Sequence, residues 1–413
     1  MNPAPAFTRR RFIQNSALLA GAFAIAPARG ASPNGDVRLA VVGLHSRGMQ
    51  LVRDIVRTPG ATIVAFCDVD TAVLDEQAAK AETEHGIKAD KVSSYRKLLE
   101  RSDIDAVVLA TPNHQHAIQT IWACEAGKDV YVEKPVCHTI WEGRQMMAAA
   151  KKYNRIVQPG FQNRSDLGLQ EAFEWIKAGN IGDITMVRGL CYKSRQSIGK
   201  LDTPMTPPAT VNYDEWLGPA ADEPLYRPQF HYDWHWSWNT GNGDFGNQGP
   251  HELDLMRWIL DEPDHPLAVK SFGSRFGWHD GGETPNMQIT SFDWGGVPAL
   301  FEVRDLWVDP ETNARAHYKG NRVGVIITCE GGEFRGGRGG GIIYYEGNKR
   351  GEKFTGNGGF DHMPAFVRSV RSRKESDLAC SLETGFLSSS LAHWGNIPIR
   401  AGSARPAQEG NEI

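Results

Sequence analysis

The chain has 413 residues, more than one ordinary hydrophobic core accommodates, so two or three domains are expected. Apolar residues make up 40 %, enough for a real interior, which excludes a disordered chain. The formal net charge is −4 and no long basic run follows the first residues, which excludes a nucleic-acid-binding surface.

The chain begins with the stretch TRRRFIQNSALLAGAFAIAPARGA over 8–31, in which Arg9, Arg10 and Arg11 precede an apolar pair and then a short apolar run. That run is about half of what a membrane-spanning helix requires, and no later segment approaches that length, so stable membrane insertion is not expected. Small residues suited to cleavage lie at Ala26, Ala28 and Ala31. The order of features resembles a twin-arginine signal over 1–33, which implies a periplasmic or otherwise exported protein. An amphipathic N-terminal helix or an uncleaved anchor is the alternative.

From 34 to 157 short β-branched runs alternate with helical stretches. The runs are VRLAVVG, ATIVAFCD, IDAVVLATP and KDVYVEKP; helical spacing of apolar residues marks the segments between them. Strands buried on both faces and joined by helices predict a doubly wound parallel sheet, the α/β Rossmann arrangement. From 158 to 400 the pattern changes to an α+β domain. A helix, LQEAFEWIKAG, precedes the strand DITMVRGLCYKS, and a Pro- and Trp-rich passage runs from Thr203 to Trp238. The helix ELDLMRWIL then leads into alternating segments with glycine turns, which predict a large open antiparallel sheet. Residues 383–400 read as helical and then extended, and 401–413 as a tail. The six cysteines show neither a CxxC pair nor metal-ligand spacing, so no metal site is expected.

The turn after the first strand, VVGLHSRGMQLV, carries Gly43 and Gly48 where a dinucleotide fingerprint needs a tight turn and close helix–strand packing. His45 stands at the middle glycine, and Ser46 and Arg47 complete a helix N-terminus suited to a diphosphate. Asp68 ends the second strand, where a carboxylate accepts the ribose hydroxyls of NAD and repels the extra phosphate of NADP. Thr111, Pro112, Asn113 and His116 follow the fourth strand; Glu133 and Lys134 end the fifth. Both positions lie at carboxyl ends of parallel strands, where open α/β sheets bind ligands. These residues form the expected NAD contacts. In GNGDFGNQGPHELDLMRW, Gly249 and Pro250 open a helix with His251 in its first turn, where the dipole disfavours a proton on imidazole. Asp254 lies one turn further on.

The Glu-Lys-Pro tripeptide after strand five, the glycine-rich segment ending in His-x-x-Asp, and Gly160-Phe161-Gln162-Asn163-Arg164 at the domain junction together resemble the Gfo/Idh/MocA family, named for glucose–fructose oxidoreductase and inositol dehydrogenase. The resemblance implies an NAD(P)-dependent sugar or polyol oxidoreductase in which Lys134 touches the nicotinamide ribose and the reacting hydroxyl, His251 accepts the proton, and Gln162 joins the NAD contacts. Many relatives carry aspartate four residues before the histidine; this chain has Asn247. Either Asp254 stabilises the imidazolium instead, or the base is weaker. Arg164, Tyr192, Lys193, Arg195, Trp236, Asn247 and Asp254 are the candidate substrate contacts, although the tryptophans of the long loop would equally pin it to the sheet.

The expected activity is hydride transfer at a ring carbon of a sugar or glycoside with a tightly held cofactor. A glycoside-cleaving enzyme working by transient oxidation and elimination is one alternative, and a sugar-binding protein that retains the nucleotide is another. A homo-oligomer formed through the open sheet is expected.

Overall fold

The computed structural model describes residues 35–402; the export-signal reading lies outside the described residues. Six parallel strands form the first sheet: β1 Val37–Val42, β2 Ala61–Cys67, β3 Asp90–Val92, β4 Ala106–Leu109, β5 Asp129–Val132 and β6 Val157–Pro159. Their order is β3-β2-β1-β4-β5-β6, so the direction of winding reverses between β1 and β4 and opens a crevice at the carboxyl ends of those strands. Every residue of β4 and β5 is buried, which is why they read as unbroken apolar runs, while β3 and β6 have three residues each and leave no such signature. The helices are α1 Ser46–Val56, α2 Thr71–His85, α3 Tyr95–Leu99, α4 Asn113–Glu125 and α5 Ile140–Tyr153. Local chemistry fixes their ends. Asp70 caps α2 by accepting from the Ala72 N–H, left-handed Gly86 terminates it, and Thr139 with Glu142 forms a reciprocal capping box on α5.

The second domain contains α6 Leu167–Lys177, β7 Ile184–Cys191, α7 Tyr213–Leu217, α8 Gly243–Asn247 and α9 Gly249–Ile259. Seven strands follow: β8 Ala268–Ser274, β9 Met287–Asp293, β10 Ala299–Arg304, β11 Val323–Cys329, β12 Gly332–Gly337, β13 Gly340–Tyr345 and β14 Lys349–Thr355. They join β7 in the order β14-β13-β12-β11-β7-β10-β9-β8. All neighbours are antiparallel except β7 and β10, so the sheet is mixed and mostly antiparallel. One face packs Phe301, Phe334 and Val187 against Phe173 of α6 and Leu253 and Met256 of α9. The opposite face leaves Phe272 and Ile289 exposed.

Two C-terminal helices, α10 His362–Ser372 and α11 Leu382–Ala401, return to the first domain. Met363, Phe366, Val367 and Val370 of α10 join the core formed by Val37, Leu39 and Val41 of β1. Helix α11 stays helical through Ala401 rather than becoming extended. Its Leu382 and Phe386 pack with Met146 of α5, while the Gly395 carbonyl accepts from Gln288 Nε2 of β9 at 3.0 Å. The helix therefore fastens both domains together. All six cysteines are buried and unpaired, and no helix among the described residues is long and apolar enough to cross a membrane.

Candidate active site at the domain interface

A cavity of about 600 Å³ runs from the β1–α1 turn, past the carboxyl ends of β4 and β5, to the glycine-rich segment of the second domain. At its first end two glycines are geometrically required. Gly43 has φ +82°, and a Cβ there would lie 2.7 Å from the Ala110 carbonyl oxygen; a Cβ on Gly48 would lie 1.9 Å from the Gly43 oxygen. His45 is the extended N-cap residue of α1, and its side chain caps nothing, so the first N–H groups of the helix remain available to an anion. The Asp68 carboxylate accepts from Leu44 N at 2.8 Å and Asp70 N at 3.0 Å, which fixes it at the cavity edge. A tight glycine turn, an uncapped helix N-terminus and an adjacent fixed carboxylate fit a dinucleotide.

Part of the long second-domain loop crosses this end as a strap. The Thr71 N–H donates to Thr210 O at 3.0 Å and the Asn212 N–H to Val69 O at 2.8 Å, so the loop is laced to the chain after β2. Helix α7 then reaches the far rim, where Gln115 Nε2 donates to Trp216 O at 2.7 Å and His114 Nε2 lies 2.9 Å from the same oxygen. Glu215 accepts from the Tyr95 N–H at 3.3 Å. His231 pairs with Asp70 at 2.8 Å and packs against His45 at a tilt of 46°, with ring centroids 4.2 Å apart.

At the other end Lys134 and His251 both line the cavity. Lys134 Nζ donates to the Asn247 carbonyl at 2.7 Å and approaches its Oδ1 at 3.4 Å. Burial, tempered by Glu133, draws the Lys134 ammonium down to about 8. Burial likewise holds His251 well below its ordinary value, and the nearby cations Lys134, Arg47, Arg338 and Lys193 add to this. Its imidazole is therefore neutral at pH 7, and the buried Nδ1 has no hydrogen-bond partner among the described residues. Glu133 binds Arg47 Nε at 2.8 Å and Gln162 Nε2 at 3.1 Å. Burial alone would raise this carboxyl, but Arg47 and Lys134 outweigh it and hold it below its usual range.

Of the sequence-predicted residues, Gly43, His45, Ser46, Arg47, Asp68, Thr111, Pro112, Asn113, His116, Glu133, Lys134, Gln162, Lys193, Arg195, Asn247 and His251 border one cavity. Arg164, Asp254, Tyr192 and Trp236 do not. Arg164 Nε and Nη2 grip the Asp254 carboxylate at 2.8–3.0 Å, and Ser388 Oγ donates to it at 2.7 Å. Asp254 thus serves neither His251 nor Arg257. Tyr192 is excluded by strand periodicity: side chains alternate beyond β7, so Lys193 and Arg195 enter the cavity while the Tyr192 hydroxyl donates to Glu302 at 2.5 Å on the opposite face. Trp236 is buried beneath Arg195, whose guanidinium carbon lies 5.4 Å from the ring centroid. His116 touches the cavity, but its ring nitrogens face the carbonyls of Pro135 at 2.6 Å and Thr111 at 2.8 Å, so it ties two strand ends together.

Sequence reasoning missed several cavity residues: Glu215 and Trp216 of α7, Gln115, His231, Tyr232, Gln248 and Arg338, whereas Trp234 and His235 belong to the Trp-rich loop it pointed to. It also missed Asp244, which sits behind the wall. Asp244 accepts from Arg195 at 2.7 and 2.8 Å and from Asn247 Nδ2 at 3.1 Å. Burial alone would raise its carboxyl, yet Arg195 holds it below its usual range, while burial and the Asp244 charge push neighbouring Asp305 well above its own. Asp244 stands three residues before Asn247 in the segment already singled out, so that signal was present; Arg338 on a hairpin tip had none.

Comparison with known proteins supports the same architecture. The model of the Gfo/Idh/MocA oxidoreductase family, NAD-binding Rossmann fold, matches residues 37–161, and that of its C-terminal alpha/beta domain matches 180–273. Inositol 2-dehydrogenase of Salmonella typhimurium is 29 % identical over 228 residues, covering 55 % of each chain. A glycosyl hydrolase family 109 protein of Shewanella sp. is 36 % identical over 163 residues, covering 33 % of this chain and 35 % of its own. The matches thus span about half the length of these curated relatives or less. The WlbA dehydrogenase of Bordetella pertussis, solved with NADH and UDP-GlcNAcA, superposes with a TM-score of 0.65 over 89 % of this chain and 98 % of its own, at 22 % identity. Two family models that together cover more than half of the chain, on the two-domain fold described above, establish that the chain belongs to the Gfo/Idh/MocA oxidoreductase family.

Proposed function

We propose that this protein is an NAD-dependent oxidoreductase that transfers hydride at a ring carbon of a sugar or glycoside and keeps its nucleotide between turnovers. The observation that carries the reading is that Lys134 and His251 border the same cavity as the Gly43–Gly48 turn. When bound, nicotinamide supplies a two-electron hydride acceptor. His251, kept neutral by burial, takes the hydroxyl proton on its imidazole. Lys134, oriented by the Asn247 carbonyl, donates to the oxygen on which negative charge develops. The Gly43 turn and the N-terminus of α1 hold the diphosphate, Asp68 the ribose, and the Glu133–Arg47 pair stiffens the wall beside the reacting groups.

The strap supports retention. Backbone hydrogen bonds lace it to one rim and the Trp216 carbonyl closes on the other, so release of a nucleotide requires these bonds to open together. Retention also accounts for an export signal on a nucleotide-dependent enzyme: the twin-arginine route carries folded proteins, and free NAD is scarce outside the cytoplasm. We place the mature protein in the periplasm, assembled as a homo-oligomer through the sheet face that bears Phe272 and Ile289. The test is a spectrum of the purified protein at the reduced-nicotinamide absorbance, before and after addition of a panel of glycosides and polyols. A nucleotide-free protein that binds NAD weakly overturns the reading. Exchange of Arg9 and Arg10 for lysine should hold the protein in the cytoplasm.

A second reading rests on the family 109 glycosyl hydrolase relative. Oxidation at a ring carbon acidifies its neighbour, so elimination of the aglycone as an alcohol, addition of water to the resulting double bond and re-reduction of the ketone would hydrolyse a glycosidic bond with the same two residues. Release of free sugar without net formation of reduced nucleotide selects this outcome.

A further inference from the structure

The charges around the reacting end are unbalanced. Lys134, Lys193, Arg195 and Arg338 border the cavity there. Of the carboxylates that border it, Asp68 lies at the nucleotide turn, Glu133 is bound by Arg47, and Glu215 accepts from the Tyr95 N–H beneath the strap. Arg195 is already satisfied by Asp244 behind the wall. Lys193 is different: it follows β7 on the cavity side, is half-buried, and makes no hydrogen bond or ion pair with its side chain among the described residues. Arg338 stands at the tip of the β12–β13 hairpin and, among the described residues, gives one bond to a backbone carbonyl, from Nε to Gly358 O at 2.7 Å, and makes no ion pair. Charged groups facing neutral hydroxyls gain little from a full positive charge, whereas a partly buried, unpaired ammonium is the group that a substrate anion would satisfy.

Resting on the hydride-transfer reading above, we propose that the substrate is an anionic sugar whose acidic group is held by Lys193, with Arg338 at the cavity mouth. The same cations act on His251, whose affinity for a proton burial lowers first and Lys134, Arg47, Arg338 and Lys193 lower further. An anion held at Lys193 would offset that field beside the proton acceptor at the moment it gains charge.

The test uses the holoenzyme with its own nucleotide and matched ligand pairs: methyl glucuronide against methyl glucoside, methyl galacturonide against methyl galactoside, and a glucose 6-phosphate arm to separate carboxylate from phosphate. Binding is read by calorimetry and reduction of the bound nucleotide by absorbance. At least one acidic ligand should bind about tenfold or more tightly than its neutral partner, with a preference that shrinks as salt rises. The preference should collapse towards parity in Lys193→Met, whose thermal stability and nucleotide content should match wild type. Equal binding within every pair, binding of neither member, or a preference that survives Lys193→Met overturns the proposal. Preferential binding of the acid that collapses in Lys193→Met, without reduction of the nucleotide by any ligand, upholds Lys193 as the anion site and counts against the hydride-transfer reading instead. If Arg338→Met lowers nucleotide content and leaves the preference intact, the anion is held by Lys193 alone.

Discussion

Arg164 and Asp254 offer a test of whether sequence proximity to a catalytic histidine means participation in its chemistry. Their side chains are 8 % and 0 % exposed, joined by three hydrogen bonds of 2.8–3.0 Å, with Ser388 Oγ donating to the same carboxylate. Removing one partner leaves a charge buried without compensation, which costs about 3–5 kcal/mol. Arg164→Met should therefore lower the melting temperature by roughly 6–10 °C, at about 2 °C per kcal/mol for a chain of this size. Replacing both, Arg164→Met with Asp254→Leu, removes the stranded charge and should recover at least half of the loss, since a buried pair is commonly no more stable than an apolar one of similar volume. Glu262, the other partner of Arg164 at 2.7 Å, is exposed enough to turn to solvent. Thermal melts of the wild type and the two variants, with KM measured on each at a temperature where it is folded, settle the point. A double variant as unstable as Arg164→Met, or a KM raised tenfold in a fully folded double variant, refutes a purely structural pair.

Three further outcomes follow from the site. Lys134 titrates at about 8 and is needed as ammonium, so kcat/KM should hold level through neutrality and fall with rising pH above about 8, towards tenfold per unit. His251 is already neutral at pH 7, so no acid limb should appear at the usual histidine value; a limb there, or none on the alkaline side, contradicts these roles. Gly48→Ala places a methyl 1.9 Å from the Gly43 oxygen and should yield protein purified without nucleotide, which absorbance ratios and mass spectrometry would reveal. His231→Ala removes the Asp70 pair and the ring contact with His45 and should speed nucleotide loss in dialysis several-fold, with the unfolding midpoint nearly unchanged. Unaltered retention would mean that the strap does not limit release.

The legible parts of the fold were those with strong periodicity. The fully buried strands β4 and β5, the glycine turn at Gly43 and the helix opening at Pro250 each imprint their physics on adjacent residues. Helix α10 was not anticipated, because its significance lies in where Met363 and Phe366 pack, nearly the whole chain away from β1. Within the site, residues of the first domain were readable because strand ends in a parallel sheet point to one crevice. The second domain was harder. Tyr192 and Lys193 are neighbours in sequence and sit on opposite faces of one sheet, a distinction that depends on strand register. Asp254 shares a helix with His251 yet faces Arg164, a partner that only the tertiary fold supplies. Position 247 was read as a lost carboxylate; Asp244, one helical turn earlier, sits against its amide.

The return of α10 to the first domain bears on how the chain matures during synthesis. When residue 161 leaves the ribosome every strand of the parallel sheet has been made, yet the flank of β1 still lacks Met363, Phe366, Val367 and Val370. That flank stays wet until some two hundred further residues have emerged, so the nucleotide pocket is an outcome of the finished polypeptide and cannot be harvested by cutting the gene after the sixth strand.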